Sequence, residues 1–124
     1  MGYQGFEELE VWKKARELKI EIAALAKTFP SDERFRLTDQ MVRSSRAIPC
    51  QIAEGHGRKT FPDKLRFCVM ARGSLSELLN HAIDAFDEKY IDLDKLEHFR
   101  NKIADVERLL NGYISFLEKK INTK

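Results

Sequence analysis

Residues 93–120 read LDKLEHFRNKIADVERLLNGYISFLEKK. Within them Leu96, Phe99, Ile103, Val106, Leu110, Tyr113 and Leu117 recur at alternating spacings of three and four. A period of about 3.5 residues belongs to helices packed side by side in a bundle, not to an isolated surface helix. Asp92 or Asp94 is placed to cap this helix. One apolar seam of this length needs partner helices, and the chain upstream supplies them.

The first is predicted over 7–27, where Val11, Ala15, Leu18, Ile22, Leu25 and Phe29 keep the same alternation. Glu7 and Glu8 fall in its first turn, where the helix dipole favours acids. Phe29-Pro30 ends it, because the residue before proline avoids the α region. Leu9 and Trp12 lie on a neighbouring stripe. Asp32 to Arg36 reads as a short turn. A second helix is predicted over 38–54, capped by Thr38, with Leu37, Met41, Ser45, Ile48 and Ile52 as its apolar line. Pro49 lies inside it and predicts a kink, because proline deprives a carbonyl one turn back of its partner. Ser44, Ser45 and Ala47 are small enough to admit a close neighbour. Gly55 and Gly57 read as the turn, supplying positive φ.

The third helix is predicted over 61–90. Thr60 caps it, Pro62 sits in its first turn and Asp63 completes a capping box. Its line is Leu65, Cys68, Ala71, Leu75, Leu78, Ala82, Phe86 and Tyr90, with Phe67, Val69, Leu79 and Ile83 as a second stripe. Such a helix is covered by several neighbours, a second subunit among the expected ones. With the fourth helix over 93–120 and a fraying tail, Asn122-Thr123-Lys124, the fold class is all-α: an antiparallel up-down-up-down four-helix bundle in one domain, 1–124.

Composition agrees. The 124 residues are 43% hydrophobic and 34% charged, with 3 Pro and 6 Gly, which excludes collagen-like and low-complexity chains. No apolar run approaches the ~18 residues of a spanning helix, so no membrane role is expected. MGYQGFEELE has no apolar core of a secretory signal. Cys50 and Cys68 are too few for a disulfide framework and are expected as small buried hydrophobes in a reducing cytoplasm.

The net charge of +2 is unevenly placed. Residues 34–72 carry nine basic and three acidic side chains, net +6, while the flanks, 1–33 and 73–124, are each net −2. Arg43 and Arg46 share a face of the second helix, with Arg36 seven residues before Arg43. Arg58 and Lys59 follow in the turn Gly55-His56-Gly57-Arg58-Lys59, and Arg66 and Arg72 continue onto the third helix. These are the candidate nucleic-acid contacts, as a track for phosphates. The competing expectation is that the arginines are consumed by Glu17, Glu21 or Asp105 on the first and last helices. Glu54 is expected to pair with an arginine.

Catalytic and metal chemistry find no footing. His56, His81 and His98 never lie three residues after a glutamate, as bundle di-iron sites require, and Cys50, His56 and Cys68 lack zinc spacing. There is no Gly-x-Ser-x-Gly, His-Glu-x-x-His or Walker loop. No enzyme, cofactor or metal is expected.

The segment Leu37-Thr38-Asp39-Gln40, Arg43-Ser44-Ser45-Arg46-Ala47-Ile48-Pro49 and Ile52-Ala53-Glu54-Gly55-His56-Gly57-Arg58 resembles the four-helix-bundle family encoded in intervening sequences of bacterial 23S ribosomal RNA genes. Supporting stretches are Phe6 with Leu9-Glu10-Val11-Trp12-Lys13-Lys14-Ala15, Phe29-Pro30 with Glu33, and Ala71-Arg72-Gly73-Ser74-Leu75-Ser76-Glu77-Leu78. The chain departs from the family pattern at Gln51, where asparagine is usual, and at His56, where an aromatic is usual. The resemblance implies a ring of five subunits. It also implies kinship with the accessory protein of diversity-generating retroelements, which binds nucleic acid and partners a reverse transcriptase. The expected function is a non-enzymatic, oligomeric, cytoplasmic bundle that binds structured RNA or DNA through its basic face. The alternative is a scaffold for an acidic protein or a reverse transcriptase without direct nucleic-acid contact.

Overall fold

The helix ends are set by local capping, and they differ from the predicted ends wherever a cap lies where pattern alone does not show it. The computed structural model describes residues 5–123, so Met1–Gln4 of the leading stretch and Lys124 of the tail lie outside it. A 3-10 turn, Phe6–Glu8, takes the two glutamates expected in the first helix. Leu9 then turns extended (φ −71°, ψ 126°), and α1 runs Glu10–Ala26. A second 3-10 turn, Ser31–Glu33, precedes α2, Leu37–His56. Thr38 is not its cap: the helix opens one residue earlier, and the Glu33 carboxylate accepts from the Leu37 N–H at 3.4 Å. The same carboxylate accepts from the Tyr90 hydroxyl at 2.7 Å, tying the start of α2 to the α3–α4 corner. That hydrogen bond, helped by burial and the Glu33 charge, pushes the Tyr90 phenol up to about 12.

α2 continues without interruption through Pro49, whose ring is buried, and ends two residues beyond the expected point. α3 spans Phe61–Asp87, with the Thr60 hydroxyl accepting from the Asp63 N–H at 3.3 Å as the sequence predicts. It stops three residues short of Tyr90 because Lys89 adopts φ 65°, the left-handed region that breaks a helix. Asp92 caps α4, Leu93–Asn122, accepting from the Lys95 N–H at 2.8 Å.

Each helix packs on the next, and α1 closes against α4, giving the four-helix bundle; no strand occurs among the described residues. Leu18, Ile22, Met41, Ile48, Ile52 and Leu75 are among the side chains with under 2% exposure at the centre. Each such burial is worth about 1.5–3 kcal/mol against exposure. The seam departs from strict heptads near the end of α4. Ile114 is buried there while Tyr113 is only half-buried and stacks on Phe116. A real helix turns in about 3.6 residues, so a 3.5-residue stripe drifts off the core face. Cys50, expected buried, is exposed, and Val69 of the second stripe lies open on the single chain, whereas Cys68 is fully buried and its thiol is pushed up to about 11 by that burial. His81 is also buried, sharing a 3.2 Å hydrogen bond between Nε2 and Glu77, with Nδ1 unpartnered. No helix of the described residues is long and apolar enough to cross a membrane.

Candidate nucleic-acid interface

The turn between α2 and α3 is built on a close approach, not on glycine's positive φ. Gly55 is buried inside α2 and Gly57 has φ −81°, so neither needs the left-handed region. A Cβ on Gly55 would lie 2.9 Å from the Phe67 Cβ and 3.2 Å from the Lys64 carbonyl oxygen. Phe67, packed there, has only 5% exposure. Two guanidinium groups cover its ring: Arg58 at 4.5 Å and Arg66 at 4.8 Å from the centroid. Asp63 holds both, 3.8 Å from Arg58 and 2.8 Å from Arg66, and Glu54 adds a 3.9 Å contact to Arg58. The pairing expected of Glu54 is therefore present. Lys64 donates to the His56 carbonyl at 2.6 Å, closing the turn, while Lys59 stays exposed.

The six sequence-predicted contacts thus divide. Arg58 and Arg66 converge on Phe67, their charge largely balanced by Asp63 and Glu54. Arg43 extends from α2 with its side chain 78% exposed, held only by a 3.9 Å contact to Asp39. Arg46 is exposed and makes no ion pair among the described residues. Arg72 leaves the set, donating to Asn111 of α4 at 3.1 Å. The expected pairing with Glu17, Glu21 or Asp105 does not occur. Those acids engage Lys14, His98 with Lys102, and Arg108, all side chains of their own helix or of α4. Burial alone would raise the Glu21 carboxyl, but hydrogen bonds from His98 and Lys102 outweigh it and hold it below its ordinary range.

The amide of Gln51 is used internally: Ser74 donates to it at 2.9 Å, bracing α2 on α3. Cys50 donates weakly to Glu54 at 3.5 Å, and burial, then that neighbouring carboxylate, raises its thiol. Sequence reasoning missed two cations on α1. Arg16 lies over Trp12, 5.8 Å from the ring centroid, and Lys19 shares a groove with Arg46. Their signal was the Trp12–Arg16–Lys19 spacing of four and three, which puts them on one face. Counting charge by segment hid it.

Fold and surface define a small all-α bundle with a cationic outer face on its second helix and following turn. The chain belongs to the family of 23S rRNA-intervening sequence proteins, whose model matches residues 7–112. Among matching solved structures is a protein of unknown function from the S23 ribosomal protein family of Bacteroides thetaiotaomicron. It is 22% identical, with a TM-score of 0.78, covering 84% of this chain and 97% of that one. The likeness extends the fold, not an activity. No protein with a curated description matches the chain.

Proposed function

We propose that this protein is a binding protein, not a catalyst, and that it holds structured RNA or DNA by its phosphates. The observation that carries this reading is the state of the α2 arginines. Arg43 is 78% exposed on a contact of 3.9 Å, and Arg46 has no ion-pair partner among the described residues. Neither would sacrifice a strong internal bond to meet a phosphate. Lys59 adds a third exposed cation in the turn, and Arg58 and Arg66 can exchange their shared Asp63 for a stronger anion.

Assembly into a ring of five, with each copy lending its face, would raise a weak site by avidity. Exposed Val69, Met70 and Phe116 are the apolar surface such assembly would cover. A reverse transcriptase remains a proposed protein partner, on family analogy alone. The test is fluorescence anisotropy of nuclease-treated protein with an RNA hairpin and a DNA duplex across salt. Affinity should fall steeply with salt and depend little on sequence. Arg43→Glu with Arg46→Glu should weaken binding about tenfold or more, since two phosphate contacts become repulsive, with helicity unchanged. Unfolding of that variant would mean that the arginines are structural. Absence of binding at low salt would leave the scaffold for an acidic protein as the better reading.

A further inference from the structure

Between α1 and α2 lies a groove of about 380 Å³ lined by Phe6, Trp12, Lys19, Arg46, Pro49 and Ala53, with Cys50 on the same wall. Its floor is aromatic: Phe6 meets Trp12 edge to face, centroids 5.2 Å apart. Trp12 is only half-buried. Two cations line the groove, Lys19 and Arg46, and Arg16 lies over the indole; none of the three has an ion-pair partner among the described residues. The acids of α1 are spent elsewhere. Glu10 pairs with Lys13, Glu17 with Lys14, and Glu21 with His98 and Lys102. Residues 1–33 are acidic in sum, yet the groove beside α2 has cations and aromatics together.

We propose that this groove receives an unpaired nucleotide of the bound nucleic acid, such as one swung out of a hairpin loop. The base would lie against Trp12 and Phe6, displacing the Arg16 guanidinium from the indole, and its flanking phosphates would meet Lys19 and Arg46. A duplex fits less well, because its bases are stacked inward and only its phosphates would reach the rim. Aromatic contact with exposed bases is the usual device of single-strand recognition, and it tolerates any base. The inference rests on the proposed function and narrows it: the basic face supplies general affinity, and the groove selects unpaired over paired segments.

The chain has a single tryptophan, so its fluorescence reports this groove directly. Three probes are compared at equal ionic strength: an oligothymidylate, a blunt-ended DNA duplex with the same number of phosphates, and inorganic polyphosphate. The oligothymidylate should quench Trp12 and bind about tenfold or more tightly than the duplex. Polyphosphate should bind without comparable quenching. Lys19→Glu should remove most of that preference. Trp12→Phe, followed by anisotropy, should reduce it in a chain that keeps a ring to pack.

Equal binding of strand and duplex without quenching would overturn the groove proposal and leave the basic-face reading standing. So would equal quenching by polyphosphate, which has no bases. A Trp12 spectrum that shifts with protein concentration alone would also overturn it, by placing a second copy in the groove. Failure of all three probes to bind would remove the basic-face reading, and this inference with it.

Discussion

Gly55 has no side chain because α3 leaves no room for one. A methyl group there would sit 2.9 Å from the Phe67 Cβ, and neither backbone nor Cβ can step aside cheaply. Gly55→Ala is expected to cost about 1–3 kcal/mol by overpacking, read by denaturant unfolding. Gly73 and Gly112 are the opposite case. Both lie in helix interiors, and a Cβ added to either would meet nothing within 4 Å, so glycine there only weakens the helix. Gly73→Ala and Gly112→Ala should each stabilise the isolated chain by about 0.5–1 kcal/mol, in the same assay. In sequence the three glycines look alike. Only packing separates the one that spares a collision from the two that do not. The same limit applied to the arginines: their positions were legible, but not that Arg72 turns to Asn111 or that Asp63 draws two others onto Phe67.

At the scale of the element, α1 shows why sums of charge along a segment mislead. Trp12 faces the α2 groove with Lys19, while Glu21 reaches α4, 2.8 Å from His98 and 3.2 Å from Lys102. Those partners lower the Glu21 carboxyl, so folding favours its ionised form. The stability it brings is therefore present above its ordinary value of 4.5 and lost as pH falls through its lower folded value. Glu21→Gln should cost about 0.5 kcal/mol at neutral pH, the pair being partly exposed. The difference from the parent chain should vanish in acid, as followed by thermal unfolding across pH. Helix existence was readable from the 3.5-residue stripes. The ends were not, because a carboxylate four residues upstream opens α2 and a left-handed Lys89 closes α3. Neither device leaves a periodic trace.

Across the whole molecule, much of the family signature goes into building the helices and holding them together. Ser44 and Ser45 donate to carbonyls of their own helix, Gln51 binds Ser74, Gly55 admits Phe67, and Glu33 binds Tyr90. The surface we propose for a partner is the cationic side of α2 and its groove with α1. Binding that rests on such a surface is set by released counterions, so the Arg43→Glu, Arg46→Glu chain should also show a shallower dependence of log affinity on log salt. The bundle was legible because burial follows periodicity; the proposed partner was not, because attraction of phosphates would need only exposed charge. The tight seat of Phe67 against Gly55 also bears on how the chain reaches this shape. Only a four-residue link separates α2 from α3, so the contact closes a short loop at small entropic cost. If the α2–α3 hairpin is the folding nucleus, Gly55→Ala should slow folding more than it hastens unfolding, as read by stopped-flow kinetics across denaturant.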